Sequence, residues 1–125
     1  MLNNTEVTII LDRSGSMSSI WQGMIEGINR LIEEVNKVPG ETSWSFVLFD
    51  DWDSGKGAKE DFPHWVFENK ASSEVPVIQP QEFSPRGGTA LVDALCITLR
   101  KVKERLLPVP EKERPKTMVV VVTDG

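Results

Sequence analysis

Several scarcities in this sequence narrow what it can be. A single cysteine, Cys96, rules out a disulfide within the chain. It falls inside a helical apolar pattern, where a small buried hydrophobe in a reducing compartment is the plain expectation. With one histidine there is no second imidazole to share a metal or build a relay, so His64 reads as a strand residue. No apolar run approaches a membrane span. The N-terminal run, residues 7–11, is short and reaches an acid at Asp12, and no basic cluster precedes it, which excludes a span and a secretory leader. Basic residues are outnumbered, 14 Lys and Arg against 19 Asp and Glu. A net charge of −5 gives no field to attract a phosphate backbone, so nucleic acid is a poor partner and cations are tolerated better than anions. These features describe a cytoplasmic protein that binds neither nucleic acid nor membrane. Internal repeats and low-complexity tracts are also missing.

What is present suits one folded domain. A chain of 125 residues, with four Trp and five Phe to fill a core, can bury well over half of its unfolded surface. Residues 5–12, TEVTIILD, are β-branched and almost continuously apolar, as in a strand covered on both faces of a parallel sheet. Ile20, Met24, Ile28, Leu31, Ile32 and Val35 then recur at helical spacing, and Pro39-Gly40 stops that helix. Residues 43–50 form a second strand. Residues 62–67 form a third, returning antiparallel at an edge position that suits Pro63. An irregular connection follows, with a brief extended piece at 75–78. After Gly87-Gly88, the residues Leu91, Leu95, Thr98, Leu99, Val102 and Leu106 mark one face of a second helix, and residues 117–123 make the last strand.

This order predicts an α/β, mostly parallel sheet with flanking helices and an antiparallel third strand at the edge. Ligands in such sheets bind beyond the carboxyl ends of the strands. Asp12 and Asp124 both lie at the carboxyl ends of apolar strands, and if those strands are neighbours the two acids meet at one place. The stretch DRSGSM at 12–17 adds two hydroxyls, Ser14 and Ser16, on a turn eased by Gly15. Oxygens gathered so closely suit a hard cation such as Mg²⁺, a phosphate or a nucleophilic role. Asp50, Asp51 and Asp53 also invite a calcium reading, but the spacing from Asp51 puts Lys56 and Phe62 where an EF-hand needs glycine and an acid, so a solvated hairpin loop is expected. Arg13 is expected to be exposed at the rim and Met17 packed beneath it.

Asp12-x-Ser14-x-Ser16, the loop Gly87-Gly88-Thr89 and the terminal Thr123-Asp124-Gly125 together resemble the von Willebrand factor A domain and its metal-ion-dependent adhesion site. The resemblance covers essentially all of residues 1–125, read as one domain holding the N-terminal two-thirds of the usual fold, and it implies a Rossmann-like sheet of strand order 3-2-1-4. It implies that Asp12, Ser14, Ser16, Thr89 and Asp124 hold Mg²⁺ (or Mn²⁺ or Ca²⁺), with Gly15, Gly88 and Asp93 in support. It further implies that an Asp or Glu of a protein partner fills the open metal position, so the domain is an interaction module and not an enzyme. Because the family fold continues past its fourth strand, the edge of strand 117–123 is expected to pair with a second copy or with another polypeptide. The competing reading is a phosphoryl-transfer hydrolase of haloacid dehalogenase type with Asp12 as nucleophile, although Ser14 stands where that class needs a second acid.

Overall fold

The computed structural model describes residues 4–38, 40–49, 63–82 and 91–123. Four strands and two long helices alternate: β1 (Asn4–Asp12), α1 (Trp21–Asn36), β2 (Glu41–Phe49), β3 (His64–Ala71), α2 (Leu91–Leu106) and β4 (Lys116–Val122). The sheet order is β3-β2-β1-β4. β1 runs parallel to both β2 and β4, and β3 is antiparallel to β2. This is the α/β architecture that the apolar patterning predicts and the strand order that the family resemblance implies. In register, Asp12 lies opposite Phe49 of β2, and Leu11 lies opposite Val122 of β4.

The period-two alternation of a strand divides the core between the two faces of the sheet. Val7, Ile9 and Leu11 of β1, with Trp44, Phe46 and Leu48 of β2, pack against Trp21, Ile25, Ile28 and Ile32 of α1. On the opposite face Ile10, Val47 and Phe49 meet Ala94 of α2, with Trp65, Leu91, Leu95 and Val119 around them. β1 is covered on both sides, which is why its sequence is apolar almost throughout.

Several elements differ in detail from the sequence reading. Residues 15–20 wind as a 3-10 turn, so α1 begins at Trp21. β3 is longer than expected and slips register against β2 around Phe46, where Asn69 takes a left-handed conformation with φ 53° and its N–H donates to Ser45 Oγ. The piece at 75–78 is not a strand; its Ile78 pairs with a side chain of α1 instead. The buried seam of α2 runs through Ala94, Thr98 and Val102, while Leu99 is 44% exposed and Cys96 is also exposed. In this rotation Arg105, in the last turn of the helix, pairs with the buried carboxylate of Glu6 on β1, and its Nε lies 3.9 Å from Glu68 Oε2 of β3. The acidic hairpin loop expected over 51–61 lies outside the described residues.

Candidate metal centre

β1 ends by delivering Asp12, fully buried, at the carboxyl edge of the sheet. One further rung of the ladder, Arg13 N–H to Phe49 O at 2.8 Å, holds the chain to β2 before it turns. The turn folds back on the carboxylate: Ser14 N–H donates to Asp12 Oδ1 at 2.7 Å, and Met17 N–H donates to Ser14 O at 2.9 Å to start the 3-10 turn. Met17, with no exposed surface, anchors that turn in the core on the α1 side, as the sequence suggests. The hydroxyls of Ser14 and Ser16 are thereby set 3.1 Å apart, with Ser14 buried and Ser16 at the surface. Ser18 Oγ closes the turn with a 2.7 Å bond to Gly15 O.

The second oxygen of Asp12 is held from β4, where Thr123 Oγ1 donates to Asp12 Oδ2 at 2.8 Å. Both carboxylate oxygens are therefore committed to partners that fix the orientation of the group while leaving its negative charge in place. Sequence reasoning quoted Thr123 beside Asp124 but gave it no role. The signal lies in the register: with Leu11 opposite Val122, the next residue of β4 is brought up to Asp12. Arg13 is 7% exposed, not displayed on the rim as expected, because the backbone rung to Phe49 draws this residue inward against the end of the sheet.

The structure thus gathers Asp12, Ser14, Gly15 and Ser16 in one turn and adds Thr123. Asp93 lies in the first turn of α2. Gly88, Thr89 and Asp124 lie outside the described residues, as does the side chain of Asp93. Among the described residues no three His, Cys, Asp or Glu side chains come together. A cation at this turn would be met by hydroxyl oxygens beside one buried carboxylate.

A mostly parallel sheet flanked by helices, with an acid-and-hydroxyl turn at the carboxyl end of an inner strand, defines a Rossmann-like α/β domain. The family model for the von Willebrand factor type A domain matches residues 6–125, and the chain belongs to that family. Domains of this family are generally protein-interaction modules without catalytic activity. A comparison with curated proteins returned no match. Among the described residues no helix is long and apolar enough to cross a membrane.

Proposed function

We propose that this domain is a metal-dependent protein-interaction module. Asp12, Ser14, Ser16, Thr89 and Asp124 form its metal-ion-dependent adhesion site, and a partner's Asp or Glu completes the coordination. The observation that carries the reading is the 3.1 Å hydrogen bond between Ser14 Oγ and Ser16 Oγ, which brings both hydroxyls to one point. Adjacent ligands of an octahedral Mg²⁺ with metal–oxygen distances of about 2.0–2.1 Å sit about 3 Å apart, so the two hydroxyls are already spaced as neighbouring ligands.

Asp12 suits the role of charge compensator. Its oxygens are occupied by Ser14 N–H and Thr123 Oγ1, and it balances the ion without supplying a strong direct ligand. Neutral hydroxyls leave the bound metal electron-poor, and the chemistry it supplies is affinity for an anionic oxygen from outside the domain. Thr89 and Asp124 contribute from the second loop and from the exit of β4, with Gly15, Gly88 and Asp93 supporting the arrangement. Mg²⁺ is the proposed ion, with Mn²⁺ or Ca²⁺ as substitutes. A cytoplasmic setting and a single domain over residues 1–125 belong to the same reading.

The phosphotransferase alternative requires Asp12 to attack. A fully buried carboxylate with both oxygens accepting hydrogen bonds is badly placed for that role. The edge of β4 away from β1, where Met118 and Val121 are exposed, is proposed to take a further strand from a second copy or another chain. A monomeric solution mass with slow amide exchange along that strand would count against it.

The test is a calorimetric titration with Mg²⁺ and with Mn²⁺, repeated on Asp12→Asn and Ser14→Ala, beside an assay on a generic phosphate ester. Binding that either substitution abolishes, without turnover, supports the module. Turnover lost in Asp12→Asn supports the enzyme.

A further inference from the structure

Asp12 is held from two directions. Ser14 N–H, on the serine turn, donates to its Oδ1 at 2.7 Å, while Thr123 Oγ1, at the exit of β4, donates to its Oδ2 at 2.8 Å. The residue has no exposed surface, so these protein donors, and not bulk water, decide how the carboxylate turns. An ionised carboxylate can accept about four hydrogen bonds, and each oxygen keeps spare capacity after one. What the pair of bonds removes is rotation. Swinging both oxygens onto one cation beside Ser14 Oγ and Ser16 Oγ would break the bond to Thr123.

That constraint discriminates between divalent cations. Ca²⁺ collects roughly six to eight oxygens at about 2.3–2.6 Å and can take a carboxylate by both of its oxygens, whereas Mg²⁺ demands an octahedron at about 2.0–2.1 Å and keeps several waters. A carboxylate pinned at both ends serves the smaller ion through one oxygen or through a metal-held water. It withholds from the larger ion the additional ligand that a wider shell needs. We propose that Thr123 sets the choice of cation at the serine turn, favouring Mg²⁺ over Ca²⁺ by keeping Asp12 from bidentate coordination. The proposal rests on the metal reading above only so far as a cation sits at Asp12, Ser14 and Ser16, and a single hydrogen bond links Thr123 to that group.

The experiment is calorimetric titration with Mg²⁺ and, separately, with Ca²⁺, well below the melting temperature, on the unsubstituted protein, Thr123→Val and Thr123→Ser. Valine keeps the shape of the side chain and deletes the donor. Loss of an outer partner of this kind is expected to lower Mg²⁺ affinity about ten-fold. Ca²⁺ affinity is expected to hold or rise, since Asp12 is released to offer both oxygens, and the ratio of the two constants moves about ten-fold toward Ca²⁺. Thr123→Ser retains the hydroxyl and is expected to keep the ratio within about two-fold of the unsubstituted value. A merely structural role would weaken both ions together and leave their ratio unchanged. That result overturns the inference alone, as does an unchanged affinity for both ions in Thr123→Val or a Ser variant that shifts the ratio as far as Val. If the unsubstituted protein binds neither ion, the metal reading falls and this inference with it.

Discussion

Thr123 Oγ1 and Asp12 Oδ2, 111 residues apart in the chain, meet at 2.8 Å across the ends of two parallel strands. This bond is the described link between the serine turn and the exit of β4. It forms because β1 and β4 are paired in register up to Leu11 and Val122, so the residues that follow them emerge together. Once Ser14 N–H has taken Oδ1, Thr123 provides a donor for Oδ2 of a carboxylate that water does not reach.

Replacing Thr123 by Val keeps the shape of the side chain and deletes the donor. Leaving one oxygen of a buried carboxylate without that bond is expected to cost about 1–3 kcal/mol, and Thr123→Ser is expected to recover most of it. Urea denaturation in a metal-free buffer measures both. A change within about 0.5 kcal/mol for Thr123→Val would show that the bond contributes little.

How much of this arrangement can be read from the chain depends on the sequence distance each contact spans. Asp12, Ser14 and Ser16 lie within one turn, so local spacing alone brings them together. β1 and α1 were legible because one is covered on both faces and the other on a single stripe, and each leaves its own periodicity. The outward positions of Leu99 and Cys96 were not legible. The rotation of α2 accompanies the Arg105–Glu6 pair, a contact between its last turn and the start of β1 that hydrophobic spacing does not encode. The role of Thr123 and the burial of Arg13 were missed for a related reason: both residues lie in quoted motifs, but pairing between strands places them, and local spacing does not encode it.

The Arg105–Glu6 pair gives a second expected outcome. Glu6 has a side chain only 9% exposed, and Arg105 reaches it through one guanidinium nitrogen, Nη1, while its Nε and Nη2 are buried without hydrogen bonds. Arg105→Met should destabilise the fold by about 3 kcal/mol, because it strands a buried carboxylate. Arg105→Lys keeps the charge and discards the two unsatisfied donors, so its cost should be about 1 kcal/mol or less. Combining Arg105→Met with Glu6→Gln should restore most of the loss. Chemical denaturation of the four proteins tests the order, and a double variant no better than Arg105→Met would refute it.

Exposure of Cys96 has a direct chemical readout. Its thiol lies on the outward side of α2 and should react with a water-soluble disulfide reagent in native protein, without denaturant, at a rate within about ten-fold of the unfolded chain. Labelling that requires unfolding would place α2 in the rotation its leucines suggest, with Cys96 turned to the sheet.

Thr98 offers the opposite kind of test, a substitution expected to stabilise. It lies on α2 with no exposed surface, between the buried Ala94 and Val102, and its Oγ1 is buried with no hydrogen-bond partner among the described residues. A hydroxyl taken out of water without compensation costs about 1–3 kcal/mol by protein mutational measures. Valine fills nearly the same volume, carries no polar atom and has a similar helix propensity. Thr98→Val is therefore expected to raise stability by about 1 kcal/mol, since the methyl that replaces the hydroxyl also gains from burial. Thr98→Ser keeps the unsatisfied group and loses the γ-methyl, and it should be destabilising. The two changes move stability in opposite directions only if the hydroxyl is unpartnered. A loss of stability in Thr98→Val would show that Oγ1 is hydrogen-bonded in solution, with water inside the α2–sheet interface as the available partner.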